Sequence, residues 1–138
     1  MKSNIYRIIE SKTPPKVTGK GVKGLLIVIQ STDKEENIAT LEGLVKAIKL
    51  DIEKDVTIVS TEENFTSLNS LIATGKYSTI ILLGISPDQI GFAINAQPYF
   101  FYKMEGFTIL LTDSLRDMNA DKAKKMKFWQ NLQARFLS

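Results

Sequence analysis

Chemistry in this 138-residue chain would have to come from a narrow set of side chains, because it contains neither histidine nor cysteine. Imidazole acid-base work, Ser-His-Asp triads, Cys-His dyads and thiolate or imidazole metal sites are therefore excluded. Carboxylates, hydroxyls, lysine and tyrosine remain. The most suggestive pair is Asp113-Ser114, where the apolar run ILLT turns into LRDM. A serine there needs a base, and Lys122 is the nearest lysine after the turn. More simply, both residues can cap free backbone N–H groups after a strand.

Three other stretches invite a ligand. GKGVKG, Gly19 to Gly24, matches the glycine spacing of a dinucleotide loop. It precedes the first apolar strand and follows Pro14-Pro15, whereas a pyrophosphate loop follows a strand and opens a helix. QSTDKEEN offers Ser31 and Thr32 as phosphate donors, but Asp33, Glu35 and Glu36 crowd the same helix start and repel anions. GISPDQIG, with Gly84, Ser86, Pro87 and Gly91, sits where open α/β sheets hold ligands, and it also reads as a capped helical turn. The paired acids Glu35-Glu36 and Glu62-Glu63 fall at helix starts, where they suit the helix dipole better than a cleft. No catalytic residue, cofactor or metal is expected.

The elements that must position these residues follow from periodicity. Leu25–Ile29, Val56–Ser60 and Thr79–Gly84 are short continuous apolar runs, the pattern of strands buried on both faces. Between the first two, Thr32-x-x-Glu35 has the form of a capping box. Ile38, Leu41, Leu44, Val45, Ile48 and Ile52 then form one helical stripe. A second helix is expected over Glu62–Thr74, ended by Gly75. Alternation of this kind implies a mainly parallel sheet with right-handed crossovers. YFFYKM and FTILLT, separated by Glu105-Gly106, read as a hairpin. The last helix is expected to begin with Asn119 as N-cap and to pack by Met126, Trp129, Leu132 and Phe136, which fall within about 120° of arc. Lys124, Lys127 and Arg135 then lie outward, with Phe128 beside them as an exposed anchor and Lys125 snorkelling. The expected fold is α/β, with a C-terminal amphipathic helix. Residues 1–24 form a basic tail, and 25–138 form one domain.

Composition bounds the setting. The chain is 43% hydrophobic and 24% charged, ordinary for a globular domain of this length. No apolar run approaches the roughly 18 residues of a membrane span. MKSNIYRIIE lacks an apolar signal region, so a cytoplasmic location is expected. Charge is segregated: residues 1–24 carry +5, residues 25–121 carry −7, and residues 122–138 carry +5 with no acid among them. Basic ends can dock an acidic protein or nucleic acid, or simply form a solvated surface. No ladder of aromatic and basic residues supports more than weak nucleic-acid binding.

The C-terminal half carries a resemblance. An apolar strand, GISPDQIG, a hairpin, TDSLRDM and DKAKKMKFWQNL follow one another in an order that resembles divergent bacterial versions of the psi subunit of DNA polymerase III holoenzyme. The likeness spans roughly Leu25 to Leu137. Its points of agreement are Gly84, Pro87, Gly91, Asp113, Ser114, Leu115, Lys122, Trp129 and Leu132. The resemblance implies a three-layer α/β sandwich with a mainly parallel sheet, acting as a non-catalytic adaptor. It implies that an N-terminal peptide binds the clamp loader and that a chi-like subunit is a further partner. Ile5, Tyr6, Ile8 and Ile9 are the apolar anchors available in such a peptide, although no clamp-loader motif is recognisable around them. Lys124, Lys127, Phe128 and Arg135 would offer a second contact. The alternative is a flavodoxin-like domain that binds a nucleotide or phosphometabolite over Ser31, Thr32, Gly84 and Ser86.

Overall fold

A computed structural model describes residues 16–61, 76–85, 97–104 and 106–137. Among the described residues six strands form one sheet: β1 (Lys16–Thr18), β2 (Leu25–Gln30), β3 (Val56–Thr61), β4 (Thr79–Leu83), β5 (Phe101–Met104) and β6 (Phe107–Thr112). Their order across the sheet is β1-β3-β2-β4-β6-β5. The inner four strands run parallel, as the continuous apolar runs predict. The two edges are antiparallel: β1 pairs Lys16 with Ser60, and β5 forms the expected hairpin with β6. Gly106 turns that hairpin with φ +92°.

The pleat divides each inner strand between two cores. Leu25, Ile27 and Ile29 face one side with Ile81, Leu83 and Leu110, and Leu26 and Val28 face the other with Val59, Ile80, Leu82 and Ile109. The described helices, α1 (Ser31–Ala47), α2 (Leu115–Ala120) and α3 (Lys122–Phe136), all bury their apolar residues on the first side. The protein is thus a mixed α/β fold with a helical layer on one face of its sheet. The helix expected over 62–74, the turn at 86–91 and the anchors Ile5, Tyr6, Ile8 and Ile9 lie outside the described residues.

Part of the segment expected to be a tail belongs to the sheet. Beyond β1, Lys20, Val22 and Lys23 donate backbone hydrogen bonds to the carbonyls of Glu53, Lys54 and Asp55. The glycines of GKGVKG serve this path. Gly19 has φ +89°, and a Cβ there would run into the Val56 carbonyl oxygen.

The Thr32-x-x-Glu35 capping box does not form. α1 begins two residues earlier than the box requires, at Ser31, with Gln30 as N-cap and no side-chain cap. The helix starts directly off β2, with the last strand residue, Gln30, as its extended cap (φ −73°, ψ 145°), so Thr32 is already inside the helix and is not its N-cap. Within the helix the stripe is as expected: Leu41 and Val45 are buried, and Ile38 and Leu44 pack against them. But α1 ends at Ala47, so Ile48 is its C-cap and Ile52 lies beyond it, although both reach the same core.

The C-terminal helix also differs from expectation. Asp121 is extended (φ −141°, ψ 103°) and accepts a hydrogen bond from the Ala123 N–H, so it separates α2 from α3 and caps the latter. Asn119 is therefore no N-cap. It lies in α2, where its amide donates to Asn37 Oδ1 and Thr40 Oγ1 of α1. α3 is rolled relative to the expected face. Phe128, expected as an exposed anchor, is 1% exposed, whereas Met126, expected inside, is 54% exposed. Leu132 is buried, and Trp129 and Phe136 are half-buried against the same core. Among the described residues no helix is long and apolar enough to cross a membrane.

Candidate functional site

The strand order creates one obvious place for a ligand. From β2 the chain crosses to β3 on one side, and β4 lies on the other. The carboxyl ends of β2 and β4 therefore flank a topological switch point. A cleft of about 570 Å³ opens there, lined by residues that include Gln30, Thr32, Gly84, Thr112 and Ser114. This brings together the segments after β2, β4 and β6 that were singled out in the sequence.

The polar groups in this cleft hold helices in place. Asp33 is buried, and its two carboxylate oxygens accept hydrogen bonds from the N–H groups of Leu115 (2.8 Å) and Arg116 (3.0 Å). A carboxylate on α1 thus caps the free N-terminus of α2, 82 positions further along the chain. Asn37 Nδ2 steadies Asp33 at 2.9 Å. Its non-helical backbone (φ −127°, ψ 25°) kinks α1 at that point. The Ser114 hydroxyl accepts from the Asp117 N–H at 3.1 Å, so this serine is a helix cap. Thr112 Oγ1 lies 3.2 Å from the Leu82 carbonyl oxygen and 3.0 Å from that of Asp113, which ties β6 to β4.

Asp113 does not cap. Its Oδ2 accepts a 2.6 Å hydrogen bond from the Tyr99 hydroxyl and lies 3.7 Å from Lys124 Nζ. Lys122, the base suggested by sequence proximity, is exposed on the first turn of α3. Burial, the hydrogen bond to Asp113 and the charge of that carboxylate, in that order, raise the Tyr99 pKa above its ordinary value of 10.0. A raised pKa keeps the proton on the folded state, so the associated stability is fully present below pH 10.0 and is lost as pH rises beyond it. Tyr99→Phe is expected to flatten the fall in unfolding free energy between neutral and strongly alkaline pH. Urea titrations of both chains across that range check this, and parallel pH profiles would refute it.

Gly84 needs its missing side chain for packing rather than for a ligand. Its φ is +69°, and a Cβ would sit 2.8 Å from the Ser114 Cβ. Gly84→Ala should cost about 2 kcal/mol in a denaturant titration, from the left-handed backbone and the displaced β6–α2 turn. A loss below about 0.5 kcal/mol would show that the turn gives way freely.

The electrostatics of the cleft disfavour phosphate. Among the described residues, Asp33, Glu36, Asp113 and Asp117 line it, against one cation, Arg116. Of the residues proposed for a phosphate ligand, Thr32 and Gly84 line this acidic cleft, Ser31 is the first residue of α1, and Ser86 lies outside the described residues. Among the described residues no group of three or more carboxylates is placed to hold a metal ion.

The second candidate surface is α3. Its expected cations are present but turned back onto the protein. Lys124 approaches Asp113, and Lys127 lies 5.8 Å from the centre of the Tyr99 ring. Arg135 donates to Thr79 Oγ1 through Nε (3.1 Å) and Nη2 (3.0 Å), with Phe101 stacked 5.7 Å away. Lys125 reaches Asn119 Oδ1 at 3.4 Å rather than snorkelling to the core. Phe100 is the aromatic that stands out, at 59% exposure. Sequence reasoning missed it because it sits inside the run YFFYKM, where every aromatic reads as strand. The signal was Pro98-Tyr99 just before it, a turn pair that delays the strand to Phe101.

Of the positions that carry the family resemblance, Gly84, Asp113, Ser114, Leu115, Lys122, Trp129 and Leu132 all fall at the β4 end, the β6–α2 turn and α3. Pro87 and Gly91 lie outside the described residues. Comparison with models of known protein families finds no match, and no curated protein matches the chain.

Proposed function

We propose that the chain is a non-catalytic adaptor resembling the psi subunit of DNA polymerase III holoenzyme, acting in the cytoplasm and binding clamp-loader subunits. The observation that carries this is the occupation of the switch point. Asp33, Thr112 and Ser114, which an enzyme would aim at a substrate, are engaged in capping α2 and joining β4 to β6. A fold whose ligand crevice is used for internal support is suited to presenting surfaces. The resemblance supplies the partners, clamp-loader subunits and a chi-like subunit: residues Ile5, Tyr6, Ile8 and Ile9 bind the clamp loader, and the α3 face with Lys124, Lys127 and Arg135 offers a second contact. Phe128 is not part of that contact, being buried. The same reading supposes a second helical layer, completing a three-layer sandwich.

Purified clamp-loader complex and the full chain, run together on a sizing column, should co-elute. The chain lacking residues 1–12 should not. Separate elution of the full chain overturns the adaptor role, and co-elution of the truncated chain overturns the tail assignment alone.

The strand order and the cleft between β2 and β4 favour one alternative, a nucleotide- or phosphometabolite-binding domain with its ligand over Ser31, Thr32, Gly84 and Ser86. A ligand at about 100 times its Kd adds about 2.7 kcal/mol of stability. A thermal-shift panel of nucleotides and flavins would reveal it, and the four carboxylates of the cleft lead us to expect no shift. Direct nucleic-acid binding through the basic ends would be weak and would fall steeply with salt.

A further inference from the structure

We propose that the groove between the Pro98–Phe100 turn and α3 binds an acidic peptide segment of a partner protein, with one apolar side chain of that segment against Phe100. The groove encloses about 350 Å³ and is bordered by Tyr99, Phe100, Lys127, Gln130, Asn131 and Ala134. Lys127, Gln130, Asn131 and Ala134 stand at positions i, i+3, i+4 and i+7, so they form a single stripe along α3.

The turn opposite is held in an uncommon conformation. Tyr99 has φ +65°, a left-handed backbone that costs a non-glycine residue free energy. It is kept there by its N–H donating to the Leu111 carbonyl at 2.7 Å and by its hydroxyl donating to Asp113 at 2.6 Å. The consequence is that Phe100 stands out at 59% exposure beside the stripe, rather than folding into the sheet as Phe101 does. A large aromatic next to a shallow groove is the usual form of a peptide anchor point.

Charge selects the occupant. Among the described residues bordering the groove Lys127 is the one with a charge, and residues 122–138 hold five bases and no acid, so the helix favours an anionic occupant. Lys127 is exposed, and Lys124 keeps 41% of its side chain in solvent. A long polyanion is a poorer fit. Following α3 toward its N-terminus, a nucleic-acid strand would meet Asp121, then Asp117 and Asp113 of the acidic cleft. A short acidic peptide engages Lys127 and stops before Asp117 and Asp121, while Asp113 is held by the Tyr99 hydroxyl and faces Lys124. This inference rests on the α3 contact proposed above and names its occupant; it does not use the N-terminal anchors, so failure of the tail to bind the clamp loader leaves it standing.

The full chain, labelled with ¹⁵N, is titrated with the capped peptide Asp-Glu-Leu-Phe-Asp-Glu, with its counterpart carrying lysine for each acid, and with a short oligothymidylate. The acidic peptide should move the amide resonances of Tyr99, Phe100, Lys127 and Asn131, and the lysine peptide should not. Phe100→Ala and Lys127→Glu should each weaken the acidic peptide by about tenfold while leaving Tm unchanged. Four results would overturn the proposal. These are no shifts at about 1 mM peptide, shifts confined to other elements, equal response to the lysine peptide, or an oligothymidylate that binds the same residues more tightly at physiological salt.

Discussion

Replacing Phe128 with alanine is expected to lower the unfolding free energy by about 4 kcal/mol, the largest effect of any single truncation in α3. The ring is 1% exposed and belongs to the core formed by Leu25, Ile27, Ile81, Leu110 and Leu115. Removing it deletes transfer free energy and leaves a cavity that the sheet, held by its hydrogen-bond ladder, is poorly able to close. Met126→Ala, two residues away, is the control. With Met126 54% exposed, its truncation should change stability by no more than about 0.5 kcal/mol. Urea titrations of the two variants decide the phase of the helix. Equal losses, or a larger loss at Met126, would mean that α3 packs on the face anticipated from its periodicity and that Phe128 is available to a partner.

Asp33→Ala should be the next most damaging change, at about 3 kcal/mol. The substitution strands the buried N–H of Leu115 and the N–H of Arg116 together, each of which now meets a carboxylate oxygen. It also removes the negative charge facing the positive end of α2. Asp33→Asn should lose about half as much, because one oxygen still accepts. The measurement is equilibrium unfolding followed by the fluorescence of Trp129, the only tryptophan. Should Asp33→Ala unfold within about 0.5 kcal/mol of the parent, water must replace the carboxylate, and the switch-point cleft would then be open enough to admit a ligand. The second-ranked functional reading would gain from that result.

These two residues also mark how far the chain could be read without its structure. Leu25–Ile29 and Val56–Ser60 were legible as inner strands because a strand buried on both faces has no polar alternation to confuse it. The hairpin at Gly106 and the serine cap at Ser114 were legible because they are local: turn and cap chemistry acts over two or three residues. The apolar stripe of α1 was legible for the same reason, although the start of the helix was not. A capping box describes free N–H groups but says nothing of the strand that delivers the chain to them.

For α3, both Phe128 and Met126 adjoin the arc of Trp129, Leu132 and Phe136, and hydrophobicity alone does not choose between them. The choice is made by the sheet beneath. Arg135 bonds to Thr79 and Asp121 breaks the chain from α2, so α3 is rotated until Phe128 points down.

What the sequence by itself determined is what depends on neighbours in the chain: the inner strands, the stripe of α1, the hairpin and the serine cap, the segregation of charge and the exclusion of imidazole and thiol chemistry. What only the tertiary structure decided is what depends on residues far apart. Asp33 meets the start of α2 across 82 positions, Tyr99 is pinned by Asp113, and the cations of α3 fold back onto Asp113, Tyr99 and Thr79. The physical reason is range. Backbone propensity and side-chain period act within a turn or two of chain, whereas the partner of a buried carboxylate, or of an exposed lysine, is selected by which elements the hydrophobic core brings side by side.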